Sequence, residues 1–351
     1  MNGRERFRLA LSHREPDRIP HTDAPWQTAV ERWYEEGLPR DVPLRDYFDL
    51  QEQRVGSDVW LRLPEETVEE AERYTIVRDR NGALKRLWTH DTSVPEYLDF
   101  VVRSRADWDA LPARSRAFDA ERVGPGLVET VNAHRANGRA THYFAHIGFN
   151  QVIYMVGMET MLLAMAREPA WARELLDFTA EMIVRGAQEM IDRGALFDGA
   201  FVADDMGTSR GPLFSPAMYR DLVQPAHARV CAFFAGHGLP VILHSCGNVM
   251  ALVPDIVDAG FACLQPLEVK AGMDLPGLKE RYAGRLALMG GLDARTLVDV
   301  ELMRAELSAK IPVAMAGGGY ILHSDHSIPD NVPLANFEAF IRYGLELGTY
   351  G

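Results

Sequence analysis

From residue 140 onward the chain alternates short apolar runs with longer helical ones, and this alternation restricts the fold more than any other feature. THYFAHI (141–147), GAFVADD (199–205), PVILHSCGN (240–248), FACLQPLE (261–268), RLALMGGLD (285–293) and GGGYILHSDHSI (317–328) read as strands. Residues 153–166, 169–193, 215–238, 249–260, 274–284, 297–311 and 333–348 read as helices. Ser215 followed by Pro216 marks an N-cap and a first helical position. Five βα repeats in succession imply a parallel sheet with helical crossovers, apolar on both faces. An open doubly wound sheet and a closed (β/α)8 barrel both fit, and a length of 351 residues favours the barrel. The glycine run at 317–319 precedes a strand instead of opening a helix, so it is not a dinucleotide-binding fingerprint.

Upstream, residues 1–140 read as an extension with helices and a hairpin. Residues 2–12 are expected to be helical, stopped by the prolines of EPDRIP (15–20), and residues 28–37 form a short helix. YTIVRDRNGALKRLW (74–88) reads as two β-rich arms around Asn81-Gly82, a pair suited to positive φ.

Charge narrows the partners. With 37 Lys+Arg against 50 Asp+Glu the net charge is −13, which repels nucleic acid and anionic membranes. No window approaches the ~18 consecutive apolar residues of a membrane helix, and the charged opening lacks the apolar core of a signal peptide. A cytoplasmic protein acting on a small molecule is expected. Three cysteines are too few for a disulfide framework. Cys231 and Cys263 read as core.

In parallel α/β folds the reactive groups sit at the C-terminal ends of the strands. Here those ends carry Asp204-Asp205, His244-Ser245-Cys246, Glu268, Asp293, and His323 with Asp325 and His326. His244 and Cys246 are two apart on a strand, so their side chains share one face. An imidazole and a thiolate so placed can hold one zinc ion, with Zn–N near ~2.0 Å and Zn–S near ~2.3 Å. A third ligand must come from another strand end: His326 or His323, with Glu268 and Asp205 as oxygen donors. Three protein ligands and one open position make a catalytic zinc site.

These segments, in this order, resemble the uroporphyrinogen decarboxylase superfamily, which includes cobalamin-dependent methyltransferases acting on thiols such as coenzyme M. RERFRLALSHREPDRIP (4–20), DDMGTSRGPLFSPAMYRDLVQP (204–225), HSCGNV (244–249), QPLEVKAGMDL (265–275), MGGLDAR (289–295) and GGGYILHSDHSIPDNVPLANF (317–337) carry the resemblance, nearly end to end. It implies one domain over 1–351, a (β/α)8 TIM barrel with its site at the C-terminal mouth, and often a homodimer. The basic segment that binds porphyrinogen carboxylates in true decarboxylases is missing, since its place reads HTDAPWQTAVERW (21–33). A polycarboxylated substrate would lack its charge partners in a partly desolvated cleft.

The methyltransferase branch of the superfamily has a His-x-Cys…Cys zinc site. His244 and Cys246 match its first two ligands, and His326 stands in place of the distal cysteine. Two imidazoles and one thiolate would leave zinc with a net charge of about +1, a stronger Lewis acid than with two thiolates. The resemblance therefore implies a zinc-dependent methyltransferase-like enzyme with metal ligands His244, Cys246 and His326. Asp205, Glu268 and His323 would position substrate, complete the coordination or move protons. Cobalamin would be carried by a separate corrinoid protein, because no cobalamin-binding domain is legible here. Two alternatives are a metal-free carboxy-lyase, which requires arginine or lysine in the pocket, and a non-catalytic metal- or ligand-binding barrel subunit.

Overall fold

The computed structural model of the protein describes residues 1–89 and 95–351. In chain order its strands are β1 (Glu52–Val55), β2 (Glu66–Glu70), β3 (Tyr74–Arg78), β4 (Leu84–Trp88), β5 (Glu96–Asp99), β6 (Ala140–His146), β7 (Gly199–Ala203), β8 (Val241–His244), β9 (Cys263–Gln265), β10 (Ala287–Met289) and β11 (Tyr320–Ile321). Seven of them form one parallel sheet in the order β1-β6-β7-β8-β9-β10-β11. The six strands read from the sequence are all in it. The seventh, β1, is polar (EQRV) and gives no apolar signal. It is accommodated because its buried Glu52 pairs with Arg54 on the same face at 2.7 Å.

The sheet has seven strands where eight were expected. Between its two edges runs a short stretch, residues 20–22. Leu322 N–H donates to Pro20 O at 2.9 Å, Thr22 N–H to Leu322 O at 3.2 Å, and Gln51 N–H to His21 O at 3.1 Å. Proline has no N–H to extend a ladder, and the stretch forms a single bridge (His21 to Leu322) instead of a strand.

One end of the sheet is sealed from below. The helix Gly3–Leu11 starts at a capping box in which Asn2 and Glu5 satisfy each other's backbone N–H groups. Its Phe7, Ala10 and Leu11 pack with Ala140, Cys263 and Ala287, the first residues of their strands, and with Phe201, Ile242, Met289 and Ile321. The opposite, C-terminal end is left open. A larger apolar cluster lies outside the sheet, between the strands and the crossover helices.

Local chemistry explains where helices depart from the simple pattern. The run read as one helix over 153–166 is split at Gly157, which takes φ +85°, into Gly148–Val156 and Met158–Arg167, bent by 114°. The run read over 215–238 begins at its Ser215 cap, passes through a π-helical turn, Tyr219–Val223, and continues as Gln224–Gly236. Pro225 lacks the N–H that would close the regular ladder there.

The expected hairpin is present, with Tyr74 opposite Trp88 and Arg78 opposite Leu84, inside a four-stranded antiparallel sheet. Only Gly82 of the Asn81-Gly82 pair takes positive φ, +76°, as its N–H closes the turn onto Asp79 O at 2.8 Å. Among the described residues no single helix is long and apolar enough to cross a membrane.

Phe7 is 1% exposed and closes the lower end of the sheet. Phe7→Ala is expected to cost about 3–5 kcal/mol of stability. Urea denaturation measures it, and a loss under about 1 kcal/mol would show that this seal is dispensable.

Candidate functional site

The open end gathers the last residues of adjacent strands. The register places His146 beside Ala203, Ala203 beside His244, and His244 beside Gln265. A cavity of about 260 Å³ opens over this row. Asp205 and Cys246 follow two residues beyond Ala203 and His244, and both line it.

Asp205, His244 and Cys246 each offer one ligand atom, all within 4.8 Å of one another. His244 Nε2 lies 3.4 Å from Cys246 Sγ and 3.3 Å from Asp205 Oδ1. Asp205 Oδ1 also accepts the Cys246 backbone N–H at 2.9 Å. The other His244 nitrogen, Nδ1, is bonded to Gln265 Oε1. Nδ1 donates to that oxygen and Nε2 faces the cluster, where a metal ion would displace its proton, as in a metal-bound histidine oriented by an outer partner.

The turn after Cys246 is pinned. Gly247 has φ +78° and lies so close to Gly207 that a Cβ would meet its carbonyl carbon at 2.4 Å. Its N–H donates to Glu268 Oε2 at 2.6 Å.

The other sequence candidates fall at different distances from this cluster. His326 lines the same cavity as Cys246 but stands outside the group of three ligand atoms that lie within 4.8 Å of one another. Trp26 packs edge-on against the His326 ring at 6.1 Å. His323 also lines the cavity, but its Nδ1 donates to Ser324 O at 2.6 Å, and its Nε2 faces Gln265 at 3.5 Å. Glu268 is buried away from the cavity, between Gly247 and Lys270 Nζ at 3.1 Å, and shapes the turn. Asp204 is fully buried, accepting from Asn150 N at 2.6 Å, Phe149 N at 3.2 Å and His227 Nε2 at 2.9 Å. Asp325 accepts from Val269 N and Ala294 N, both at 2.8 Å, and Asp293 pairs with Arg295 at 2.6 Å.

Among the cavity residues that escaped the sequence reading are Gln265, His146 and Arg54. Gln265 ends β9 just before Pro266, so it was legible as a strand end, but the more reactive Glu268 drew the assignment. His146 ends β6, a run read only as a strand. Arg54 came from the unread β1. Its Cζ lies 3.3 Å from the Phe201 ring centroid, and its Nε and Nη2 donate to Glu52 Oε2 at 3.0 and 2.7 Å. Glu52 Oε1 in turn pairs with His142 Nδ1 at 2.6 Å.

The electrostatics follow from this packing. Burial pulls His244 down, but its bonds to Asp205 and Cys246 outweigh that and carry it to about 10. Burial raises Asp205, yet His244 and the Cys246 N–H bring it to about 2. The Cys246 thiol is lowered, because His244 and His326 overcome its burial. His326 is raised, chiefly by Cys246. Cys231, by contrast, is pushed up to about 12 by burial, and Cys263 is raised for the same reason. Imidazole, thiolate and carboxylate donors converging at one point suit a zinc ion.

A family model described as Uroporphyrinogen decarboxylase (URO-D) matches residues 86–346. A Methanosarcina barkeri protein named Methylcobamide:CoM methyltransferase MtaA is 31% identical over 169 residues, covering 48% of this chain and 47% of that one. A Methanosarcina mazei protein named Methylated-thiol--coenzyme M methyltransferase is 30% identical over 189 residues, covering 54% and 48%. The chain thus spans about half the length of the curated relatives it matches. A solved structure described as a methyltransferase from Methanosarcina mazei superposes with a TM-score of 0.69 at 18% identity over 99% of both chains, and shows the same fold.

Cys246 is the half-buried thiol whose thiolate has cationic partners, and the other two are buried. Iodoacetamide on the native, metal-stripped protein is expected to modify Cys246 alone. His244→Gln should move the pH midpoint of that reaction upward. Peptide mass spectrometry reads both; labelling of Cys231 or Cys263 at the same rate would refute the assignment.

Proposed function

The chain belongs to the uroporphyrinogen decarboxylase family, and from that premise we propose that it is a methyl-transferring enzyme that activates a thiol or alcohol at the Asp205–His244–Cys246 cluster. The observation that carries this reading is the convergence of three metal-ligand atoms within 4.8 Å at the ends of β7 and β8. The names of the methyltransferase relatives support it. So does the seven-stranded parallel sheet, with residues 20–22 hydrogen-bonded to Leu322 on one side and Gln51 on the other.

In this reading zinc is held by His244, Cys246 and His326, with Asp205 close enough to complete the set. When bound, zinc supplies Lewis acidity that lowers the pKa of a thiol or alcohol. The protein's own contributions are positional. Gln265 fixes the tautomer of His244, and Asp205 anchors the Cys246 backbone. Glu268 holds the turn that follows. Phe144, Phe201 and Pro266 give the cavity apolar walls. The methyl group would be exchanged with a corrinoid carried by another protein.

The lyase alternative draws on one feature, the cationic Arg54 in the cavity. Its charge is already matched by Glu52 at 2.7 Å, so it does not make the multiply basic cradle that a polycarboxylate needs.

Purified wild-type protein is expected to hold about one zinc per chain by elemental analysis, and Cys246→Ala to lose most of it. With methylcobalamin as donor and 2-mercaptoethanol as acceptor, absorbance should report methyl transfer in the wild type and a loss of about 100-fold or more in the variant. A zinc-free wild type that is active and indifferent to chelators would overturn the reading.

A further inference from the structure

We propose that His146 is the residue that accepts the proton of the substrate's S–H group. The inference rests on the reading of the cavity as a thiol site, and goes beyond it by assigning a proton acceptor outside the ligand set.

His146 and His244 belong to the same row of strand ends, with Ala203 between them. Neighbouring strands lie about 4.8 Å apart, so the two histidines stand roughly 10 Å apart at the backbone. The small side chain of Ala203 leaves the space between their rings to the cavity, which all three residues line. A substrate sulfur bound beside the cluster and over Ala203 would have the His146 ring on its far side.

The orientation and tautomer of His146 are set from outside the cavity. Its Nδ1 is 2.8 Å from Asn150 Oδ1. Asn150 is 3% exposed, and its backbone N–H is held by the buried Asp204 at 2.6 Å. The atom of Asn150 that faces His146 is its amide oxygen, which can only accept. His146 Nδ1 therefore carries the hydrogen, and Nε2 keeps its lone pair. Among the described residues Nε2 has no hydrogen-bond partner. Phe144 and Tyr154 meet the ring edge-on at 5.4 and 5.2 Å, which holds its plane. A histidine oriented through Nδ1 by a carbonyl or carboxylate, with Nε2 free to take a proton, is the arrangement used by general bases.

The step is a proton transfer. The S–H bond breaks, its electron pair stays on sulfur as thiolate, and the proton forms the Nε2–H bond of an imidazolium. Nδ1–H continues to donate to Asn150. The proton then leaves to solvent, and nothing is oxidised or reduced. The charged and titratable groups around the ring are Asp204 and Asp205 after β7, His244 on β8 and Tyr154 on the helix Gly148–Val156. Burial, aided by His244, lowers the His146 imidazole from its ordinary range, against the Asn150 hydrogen bond and the pull of the two aspartates.

The test is nitrogen-15 imidazole NMR on the zinc-loaded protein, with the His146 signals assigned by their loss in His146→Gln. The Nδ1–H tautomer is expected in the free protein. Saturating 2-mercaptoethanol at pH 7.5 should shift the Nε2 signal, as the free lone pair gains the substrate's S–H as a hydrogen-bond partner, and leave Nδ1 protonated. An Nε2–H tautomer, or an Nε2 signal unmoved by the thiol, would overturn the proposal. In the methyl-transfer assay His146→Gln should lower kcat by about 100-fold and lose the acidic limb of the pH profile, with zinc content unchanged. Asn150→Ala, a positioning change, should lower it less. Thiol binding and turnover that survive His146→Gln would sink this assignment and leave the methyltransferase reading standing. A wild type without zinc or transfer would sink that reading instead.

Discussion

One carboxylate ties the site together. Asp205 accepts the backbone N–H of Cys246 and faces His244 Nε2 with the same oxygen, so a single group couples the end of β7 to the end of β8. Neither contact is strong alone, and hydrogen bonds to a charged acceptor are worth about 1.5–3 kcal/mol. Their effect is geometric. Strand spacing sets the approach of the two loops, and Asp205 sets their register at the one place where a thiol and an imidazole must share a partner.

Behind that contact lies a second layer of buried polar pairs. Asp204, adjacent in sequence to Asp205, turns away from the cavity and is satisfied by two backbone N–H groups and His227, which is bonded in turn to Tyr219 at 3.0 Å. The chain comes so close at Gly148 that a Cβ there would meet Asp204 Oδ2 at 2.3 Å. On the other side Glu52 is shared by Arg54 and His142. Buried ionisable groups are costly unless fully partnered. Here each carboxylate has its partners, and each network ends on a cavity-lining residue: His146 through Asn150, and Arg54.

The donor set also shapes the chemistry. With only Cys246, His244 and His326 around it a zinc ion would keep more positive charge than with two thiolates, and the Asp205 carboxylate would cancel that excess on joining the set. The three-ligand site favours activating an acceptor over merely binding it, and it leaves the displaced proton in need of a destination within the cavity. The His146 assignment answers that need with a residue already oriented by its surroundings.

Much of the architecture was legible. The βα alternation led to the parallel sheet, and the rule that chemistry lies at strand ends led to Asp205, His244 and Cys246, because residue spacing along a strand is a local property. Two polar, non-local features were not legible. β1 is a strand only because Glu52 and Arg54 neutralise each other, and residues 20–22 bridge the sheet only because both of its edges come to them. For the same reason Glu268, read from the sequence as a site residue, folds onto the backbone N–H of Gly247 in a neighbouring loop. Residue type and spacing by themselves determined which side chains reach the open end of the sheet. Which of those side chains meet, and which are consumed by the scaffold, was decided by packing, since hydrogen bonds between loops depend on distances that no local pattern encodes.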